Sequence, residues 1–278
     1  MNCKICNADA PLFCEGEILR KYKMKYYKCS SCGFVQTEEP YWLNEAYNSA
    51  IAQLDIGLIE RNQYFVGIVE KLILMFYPKT ANYLDYGGGY GAFVRMMRDK
   101  GFSFYRYDTY CENIFANHFD MSDAPVKKFD IVTAFEVFEH LKNPMEEISK
   151  MLALGDTIFF STILTTEQPQ QFMDWWYRAP LSGQHIAFYT KESLEYIAKK
   201  LAKKLYSNGS NFHVLTNVDI NREKFADIFS APRERSFMER LVGKFKTPEP
   251  AIVPRRSLQQ EDYKKIEQKI LQEKDKAQ

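Results

Sequence analysis

Two groups of residues in this chain have types and spacings suited to chemistry. The first is Cys3-Lys-Ile-Cys6 with Cys29-Ser-Ser-Cys32, two CxxC pairs separated by 22 residues. A CxxC turn aims two thiolates at one ion, and two such turns complete a tetrahedral zinc site. Four sulfur ligands leave no open position, so a Zn2+ held there is expected to be structural. Asn7 and Gly33 each follow a pair and tolerate the left-handed backbone that directs amide hydrogens at sulfur. Reduced thiols in an ordinary ribbon are the bland alternative. A redox pair fits less well, because no βαβ pattern precedes either CxxC. Cys14 is a candidate substitute ligand that reads better as a free thiol, and Cys111 reads as a packed residue near a sheet.

The second group starts at Asp85-Tyr-Gly87-Gly-Gly89-Tyr-Gly91, where an apolar strand (about 81–86) gives way to a helical pattern from Ala92. Glycine permits tight turning and lets a ligand lie almost on the backbone. This is how a nucleoside-bearing cofactor is held at the carboxyl end of a parallel sheet. By itself the run satisfies both a GxGxG and a dinucleotide GxGxxA pattern. Asp108 ends the next strand (Phe102–Tyr107), placed to accept two hydrogen bonds from a ribose diol. Asp85, two positions before the first glycine, is placed to orient an ammonium through the turn or a water.

A third set would act on an acceptor. His140 and His185, two of four histidines, fall in loops expected at the carboxyl edge of the sheet, and Glu136 lies beside the first. An oxygen or carbon acceptor needs a base, and a histidine or carboxylate would serve. The bland readings are a loop hydrogen bond for His185 and a structural brace for Glu136 and Glu139. Trp175, Trp176, Tyr177 and Arg178 form an amphipathic loop that could cover an acceptor or simply pack on the core.

The elements that must position these residues alternate. A helical pattern runs from Asn44 to Tyr77, with Ile59, Phe65, Ile68, Val69, Leu72 and Phe76 on a buried face, and Pro78 stops it. Phe129–Phe135 is a buried strand, and a helix begins near Pro144. Asp156–Leu164 is another strand, and Thr190 and Ser193 are candidate caps of a later helix. Lys204–Ser207 and Phe212–Thr216 flank Asn-Gly-Ser-Asn as an antiparallel hairpin. Ile18–Lys28 reads as a small hairpin in the head, whose folding energy would come largely from the metal. The predicted organisation is a zinc-binding module (1–45), a helical lead-in (46–80), an α/β core (81–217) and a polar extension (218–278). In that extension Pro248, Pro250 and Pro254 break the chain before a charged helix over Gln260–Lys274.

Of 278 residues, 46% are hydrophobic and 26% charged, an ordinary globular balance. Net charge is +1, so no whole-molecule field favours nucleic acid or an anionic membrane. The chain opens on polar and cysteine-bearing residues, and Ile68–Tyr77 is short and holds charges, so a cytoplasmic, non-membrane protein is expected.

Three details favour S-adenosylmethionine over a dinucleotide: Asp85, the terminal hairpin, and Phe135-Glu136-Val-Phe-Glu139-His140-Leu141. With these, residues 81–217 resemble a class I S-adenosylmethionine-dependent methyltransferase. Asp85–Gly91 is similar to its first motif and Asp108 to its acidic ribose ligand. Glu136-Val-Phe-Glu139-His140-Leu-Lys-Asn-Pro144 is similar to the EVLEHLxxP segment of its small-molecule branch. The resemblance implies a Rossmann-like α/β fold: a seven-stranded, mostly parallel sheet with an antiparallel terminal hairpin. It also places Asp120 and Met121 near the adenine. Gly183-Gln-His185-Ile-Ala-Phe-Tyr-Thr190-Lys-Glu-Ser-Leu194 resembles a GHxxxFT/SxxxL segment of related sugar methyltransferases. The cysteine head followed by Tyr41-Trp42 resembles enzymes acting on nucleotide-linked deoxysugars, and so implies a zinc-ribbon-like module beside the site. Deoxysugar carbon-methyltransferases carry a larger C-terminal domain than the roughly 60 residues left here, so oxygen methylation is an equal expectation. The implied acceptor is a small molecule such as a sugar or nucleotide-sugar. An RNA methyltransferase with a zinc recognition head is opposed by residues 1–50, which hold as many acids as bases. A non-catalytic adaptor is opposed by the intact glycine turn and Asp108.

Overall fold

The cysteine head is an antiparallel sheet in a computed structural model that describes residues 1–48, 55–165, 168–230 and 255–276. Strands β1 (Leu12–Ile18) and β2 (Tyr22–Lys28) form a hairpin that starts six residues earlier than expected. Its turn carries Leu19 and Arg20 at φ of 54° and 52°. Such left-handed angles disfavour branched side chains, so nothing in the sequence marks a turn here. The Leu19 amide donates to the Pro180 carbonyl at 2.8 Å, a long-range contact that holds the turn. Strand β3 (Val35–Thr37) follows β2, and the fourth strand comes from far along the chain: β8 (Ala187–Phe188) pairs Phe188 with Val35.

The expected continuous helix over 44–77 is instead α1 (Leu43–Ala46) and α2 (Leu58–Phe76); residues 49–54 of that pattern lie outside the described residues. Phe65, Ile68, Val69 and Leu72 are buried as expected, but Ile59, in the first turn, is exposed.

The central sheet holds β4 (Asn82–Tyr86), β5 (Ser103–Tyr107), β6 (Ile131–Ala134), β7 (Ile158–Ser161), β9 (Lys204–Ser207) and β10 (Phe212–Thr216). Their order is β5-β4-β6-β7-β10-β9; the first four are parallel, and β10 runs antiparallel to both neighbours. Strands β6 and β7 are apolar runs buried at every position, as strands covered on both faces must be. The predicted Asn-Gly-Ser-Asn hairpin forms β9 and β10.

Six strands, not seven, pair among the described residues. The segment after β5 makes a single parallel bridge, Arg106 to Asp120, before a 3₁₀ turn over Met121–Asp123 ends it. Here Arg106 ion-pairs with the Asp120 side chain, and the Asp120 amide donates to Asp123 Oδ2 (3.1 Å). Those local bonds replace a ladder.

Helix α3 (Ala92–Asp99) packs on β5 and α2, and α2 also packs on α7 (Arg222–Phe229). Helix α4 (Pro144–Leu154) starts on its proline and α6 (Lys191–Lys200) is capped by Thr190 with Ser193, both as expected; the short α5 (Pro169–Asp174) lies between them. The extension is less polar in practice than in composition. Phe225 and Ile228 of α7 are buried, and α8 (Gln259–Lys276) docks through Asp262. That carboxylate is 3% exposed and accepts from Arg98 Nε and Nη2 (2.8 and 2.6 Å) and Arg95 Nη2 (2.9 Å). Pro248, Pro250 and Pro254 lie outside the described residues. No helix among the described residues is long and apolar enough to cross a membrane.

Candidate active site

The glycine turn sits over the carboxyl ends of β4 and β5. Gly87, Gly89 and Gly91 have φ of 72°, 53° and 88°, angles that side chains strain to adopt. Space is equally tight, since a Cβ on Gly87 would lie 2.6 Å from Val137 Cγ2. Beneath the turn Asp85 is 4% exposed and accepts from Thr133 Oγ1 at 2.6 Å; burial raises its carboxyl to about 7. Asp108 stands at the turn's rim. Its Oδ2 accepts the Gly89 amide (2.9 Å) and its Oδ1 the amides of Tyr110 and Cys111 (2.7 and 2.8 Å).

Sequence reasoning missed the residue that braces this turn. Arg106, in register with Asp85 on β5, is 4% exposed. It donates to the Gly89 carbonyl (2.5 Å), Asp120 Oδ1 (2.8 Å) and the Cys111 carbonyl. A cation inside an otherwise apolar strand was the available signal, because a buried charge must find partners. Asp120 therefore joins the turn through Arg106. Met121 is half-buried in the 3₁₀ turn beside it.

A second cluster lies past β6. Glu136 takes a left-handed φ of 55°, which costs a non-glycine residue about 1–3 kcal/mol and persists only where neighbours impose it. Here Ser161 imposes it: its Oγ accepts the Glu136 amide (2.7 Å) and donates to Glu136 Oε1 (2.8 Å). Arg61 Nε lies 3.6 Å from Glu136 Oε2, and Arg61 Nη2 grips Asp55 at 2.7 and 2.8 Å. Burial raises the Glu136 carboxyl. Next to it Glu139 is fully buried with neither oxygen hydrogen-bonded, and burial raises its carboxyl well above the usual range.

The rings of His140 and His185 meet edge to face at 4.9 Å. His140 Nδ1 lies 3.1 Å from both the Gln184 carbonyl and Tyr47 Oη, and His185 Nδ1 lies 2.5 Å from the Tyr177 carbonyl. Burial lowers them to about 3 and about 4, so both are neutral at pH 7. Tyr177 packs under His185 (4.7 Å between rings) with its hydroxyl buried and unbonded. Trp176, its neighbour in the predicted cover, is exposed, while Arg178 is buried and donates to the Met173 carbonyl and Tyr26 Oη. Arg61, Ser161 and Tyr47 were not expected to join the site. They come from three distant segments with no shared motif, and only the fold collects them.

The head holds the His185 side of this cluster. Trp42 Nε1 donates to the Gly183 carbonyl (2.8 Å), Gln184 Nε2 to the Ala46 carbonyl (2.8 Å), and Thr190 Oγ1 to the Cys32 carbonyl (2.8 Å). His185 is thus fixed from both sides.

Within the head, Cys3, Cys6, Cys29 and Cys32 bring four free thiols within 4.8 Å of one another. Zn–S bonds of about 2.3 Å set tetrahedral sulfurs about 3.8 Å apart. Cys3 and Cys32 are 3.7 Å apart and Cys6 and Cys29 3.3 Å. Asn7 and Gly33 have the expected positive φ (62° and 70°), and the amides of Ile5, Ser31 and Cys32 donate to sulfur. The Cys32 contact pulls the Cys3 thiol down to about 5. Cys14 and Cys111 lie outside the cluster, and burial pushes each up to about 11.

Among solved structures, the chain is similar to an O-methyltransferase family protein from Burkholderia thailandensis: 11% identity, TM-score 0.44, 63% of this chain and 67% of that one. It is similar to magnesium protoporphyrin IX methyltransferase from Synechocystis PCC 6803 with bound SAH: 13%, 0.41, 63% and 93%. It is also similar to the plantazolicin methyltransferase BpumL in complex with SAH: 11%, 0.41, 62% and 94%. No curated protein sequence matches the chain. A family model described as a methyltransferase domain matches residues 60–201, which span the glycine turn, both buried carboxylates and both histidines. On that match the chain belongs to the methyltransferase-domain family and is an S-adenosylmethionine-dependent methyltransferase.

Proposed function

We propose that this enzyme methylates an oxygen or carbon of a small molecule, most specifically a sugar or nucleotide-sugar precursor. The observation that carries the reading is the cluster of half-buried Glu136, His140 and His185 around the fully buried Glu139, beside the glycine turn. Two neutral imidazoles and two carboxyls there suit an acceptor whose proton must be removed.

In this reading S-adenosylmethionine supplies an electrophilic methyl on a sulfonium. The backbone of Gly87, Gly89 and Gly91 lies along the nucleoside, Asp108 accepts from the ribose hydroxyls, and Asp85 faces the ammonium. Asp120 and Met121 border the adenine. Such a cofactor fits the residues present: Asp85 is a buried acid that gains from a cationic partner, and Asp108 already stands beside the Gly89 amide. His185 receives the acceptor proton, His140 shares it, and Glu136 orients the acceptor. Because both Nδ1 atoms face carbonyl oxygens, Nε2 is the nitrogen left with a lone pair. The exposed ring of Trp176 offers an aromatic face for a sugar.

The head carries a structural Zn2+ on Cys3, Cys6, Cys29 and Cys32, and the sulfur separations suit that ion. Its task is to hold β3 in place, and with it β8 and His185.

Calorimetry with S-adenosylmethionine, followed by methyl-transfer assays across nucleoside-diphosphate sugars and simple phenols, tests the assignment. Expected is cofactor binding with turnover on a sugar. Turnover confined to phenols would remove the sugar reading, and absence of cofactor binding would remove the whole proposal.

A further inference from the structure

We infer that Glu139, His140 and His185 form a second metal site, one that takes a divalent first-row transition cation such as Zn2+ or Fe2+ at the active-site edge. The inference concerns the same cleft as the proposed acceptor site, but it stands on ligand geometry and not on the acceptor's identity.

Four observations carry it. One carboxylate oxygen and one ring nitrogen from each histidine lie within 4.8 Å of one another, the same limit that encloses the four head thiols. Each histidine then has its Nδ1 facing a backbone carbonyl, of Gln184 for His140 and of Tyr177 for His185. A carbonyl holding one ring N–H fixes the tautomer and ring plane and leaves the other nitrogen to bind a metal. The third ligand is a carboxyl group with no hydrogen-bond partner. Glu139 is fully buried and both its oxygens are unbonded, although burying a carboxyl without a partner is costly. Arg61, the nearby cation, is engaged by Asp55 and Glu136. Finally, the two ligand segments are tied to each other, because the Ile186 amide donates to the Glu139 carbonyl at 2.8 Å.

The ligand set selects the ion. Two imidazoles and one carboxylate suit zinc or ferrous iron, whereas calcium and magnesium ask for oxygen ligands. Three protein ligands also leave coordination positions open, unlike the closed sulfur set of the head. The cleft sets the place: the segment bearing Val137 abuts Gly87 of the cofactor turn. An acceptor hydroxyl entering an open position would lose its proton to solvent more readily. The oxygen's electron pair would then form the C–O bond as the S–C bond breaks with its pair left on sulfur. In that form the imidazoles hold the cation in place of a proton.

Metal counting on the full-length chain tests this without any substrate. After dialysis against excess Zn2+ and removal of free ion, elemental analysis is expected to find two zinc per chain. Glu139→Gln and His185→Gln are each expected to keep one, the head zinc. Cobalt substitution separates the sites: thiolate-to-cobalt charge transfer marks the head, and a weak visible band without it marks the Glu-His-His site. One zinc per chain in the unaltered protein, with a purely thiolate cobalt spectrum, overturns the inference, as does an unchanged count in Glu139→Gln. Should either variant fail to fold by circular dichroism, the wild-type count and cobalt spectrum decide alone. Two ions with no sugar turnover would sink the acceptor reading and leave the metal site standing.

Discussion

The glycine turn and the histidine cluster share one edge of the sheet, yet they are held by opposite means. The turn is local. Asp85 to Gly91 are nearly consecutive, and most of their bonds go to β5 or the residues just after it: Arg106, Asp108 and the Tyr107 carbonyl. The cluster is assembled from Tyr47, Arg61, Glu136–His140, Tyr177 and His185, and its outer wall is the cysteine head. Where backbone holds a cofactor, one motif suffices. Where side chains must surround an acceptor, distant segments have to converge, and an added domain can position them.

The sharpest way to break that contrast is to remove the zinc proposed for the head. Cys29→Ser is expected to lose the head zinc, whose binding in comparable small modules is worth about 10–16 kcal/mol of folding energy. Methyl transfer should be abolished, while cofactor affinity measured by calorimetry stays within about threefold of wild type, because no head residue touches the glycine turn's bonds. Joint loss of cofactor binding would mean the two halves are not separable.

His185→Ala probes the cluster alone. Removing the proton acceptor, or a cation ligand, should lower kcat by about 10²–10⁴ with little change in cofactor affinity. Steady-state kinetics beside calorimetry distinguishes that from a merely structural loop residue, for which the cofactor term and stability would move instead.

On the other side, Asp108→Ala should weaken S-adenosylmethionine by about 10–100-fold, from losing hydrogen bonds to a charged acceptor. Zinc content should be unchanged, and an unaltered affinity would reduce Asp108 to a cap on the Gly89, Tyr110 and Cys111 amides.

The smallest effect is a titration. Asp85 is raised to about 7 by burial, so it is largely protonated at pH 6 and largely ionised at pH 7.5. A cationic ammonium binds the ionised form, so affinity should tighten roughly eightfold over that range, and Asp85→Asn should flatten the dependence. Stability runs the opposite way for this group. Its folded value lies above the unfolded one, so its contribution is present below about 4 and is lost as pH rises through 7.

Much of the central α/β part was legible because its signals are short-range. Pro144 opens α4, Thr190 with Ser193 caps α6, and Asn208-Gly209 turns the β9–β10 hairpin, each through chemistry within a few residues. The turn at Leu19-Arg20 was not legible, because its left-handed angles are held by Pro180 and not by glycine. The seventh strand failed to form for a related reason. A 3₁₀ turn over Met121–Asp123, closed by the Asp120 amide donating to Asp123, ends the ladder after one bridge. The tail's charged composition hid the buried Arg98–Asp262 pair that docks α8.

What the sequence determined by itself was the set of backbone conformations: where glycine allows a positive φ, where proline starts a helix, where two CxxC turns face each other. Those choices depend on sterics and bonds among near neighbours, so a string of letters carries them. Only the tertiary structure decided that β8 would complete the head's sheet, that Glu139 would be sealed away without a partner, and that His140 and His185 would meet. Burial and convergence depend on which surfaces exclude water together, a property of the whole packed chain and of no segment within it.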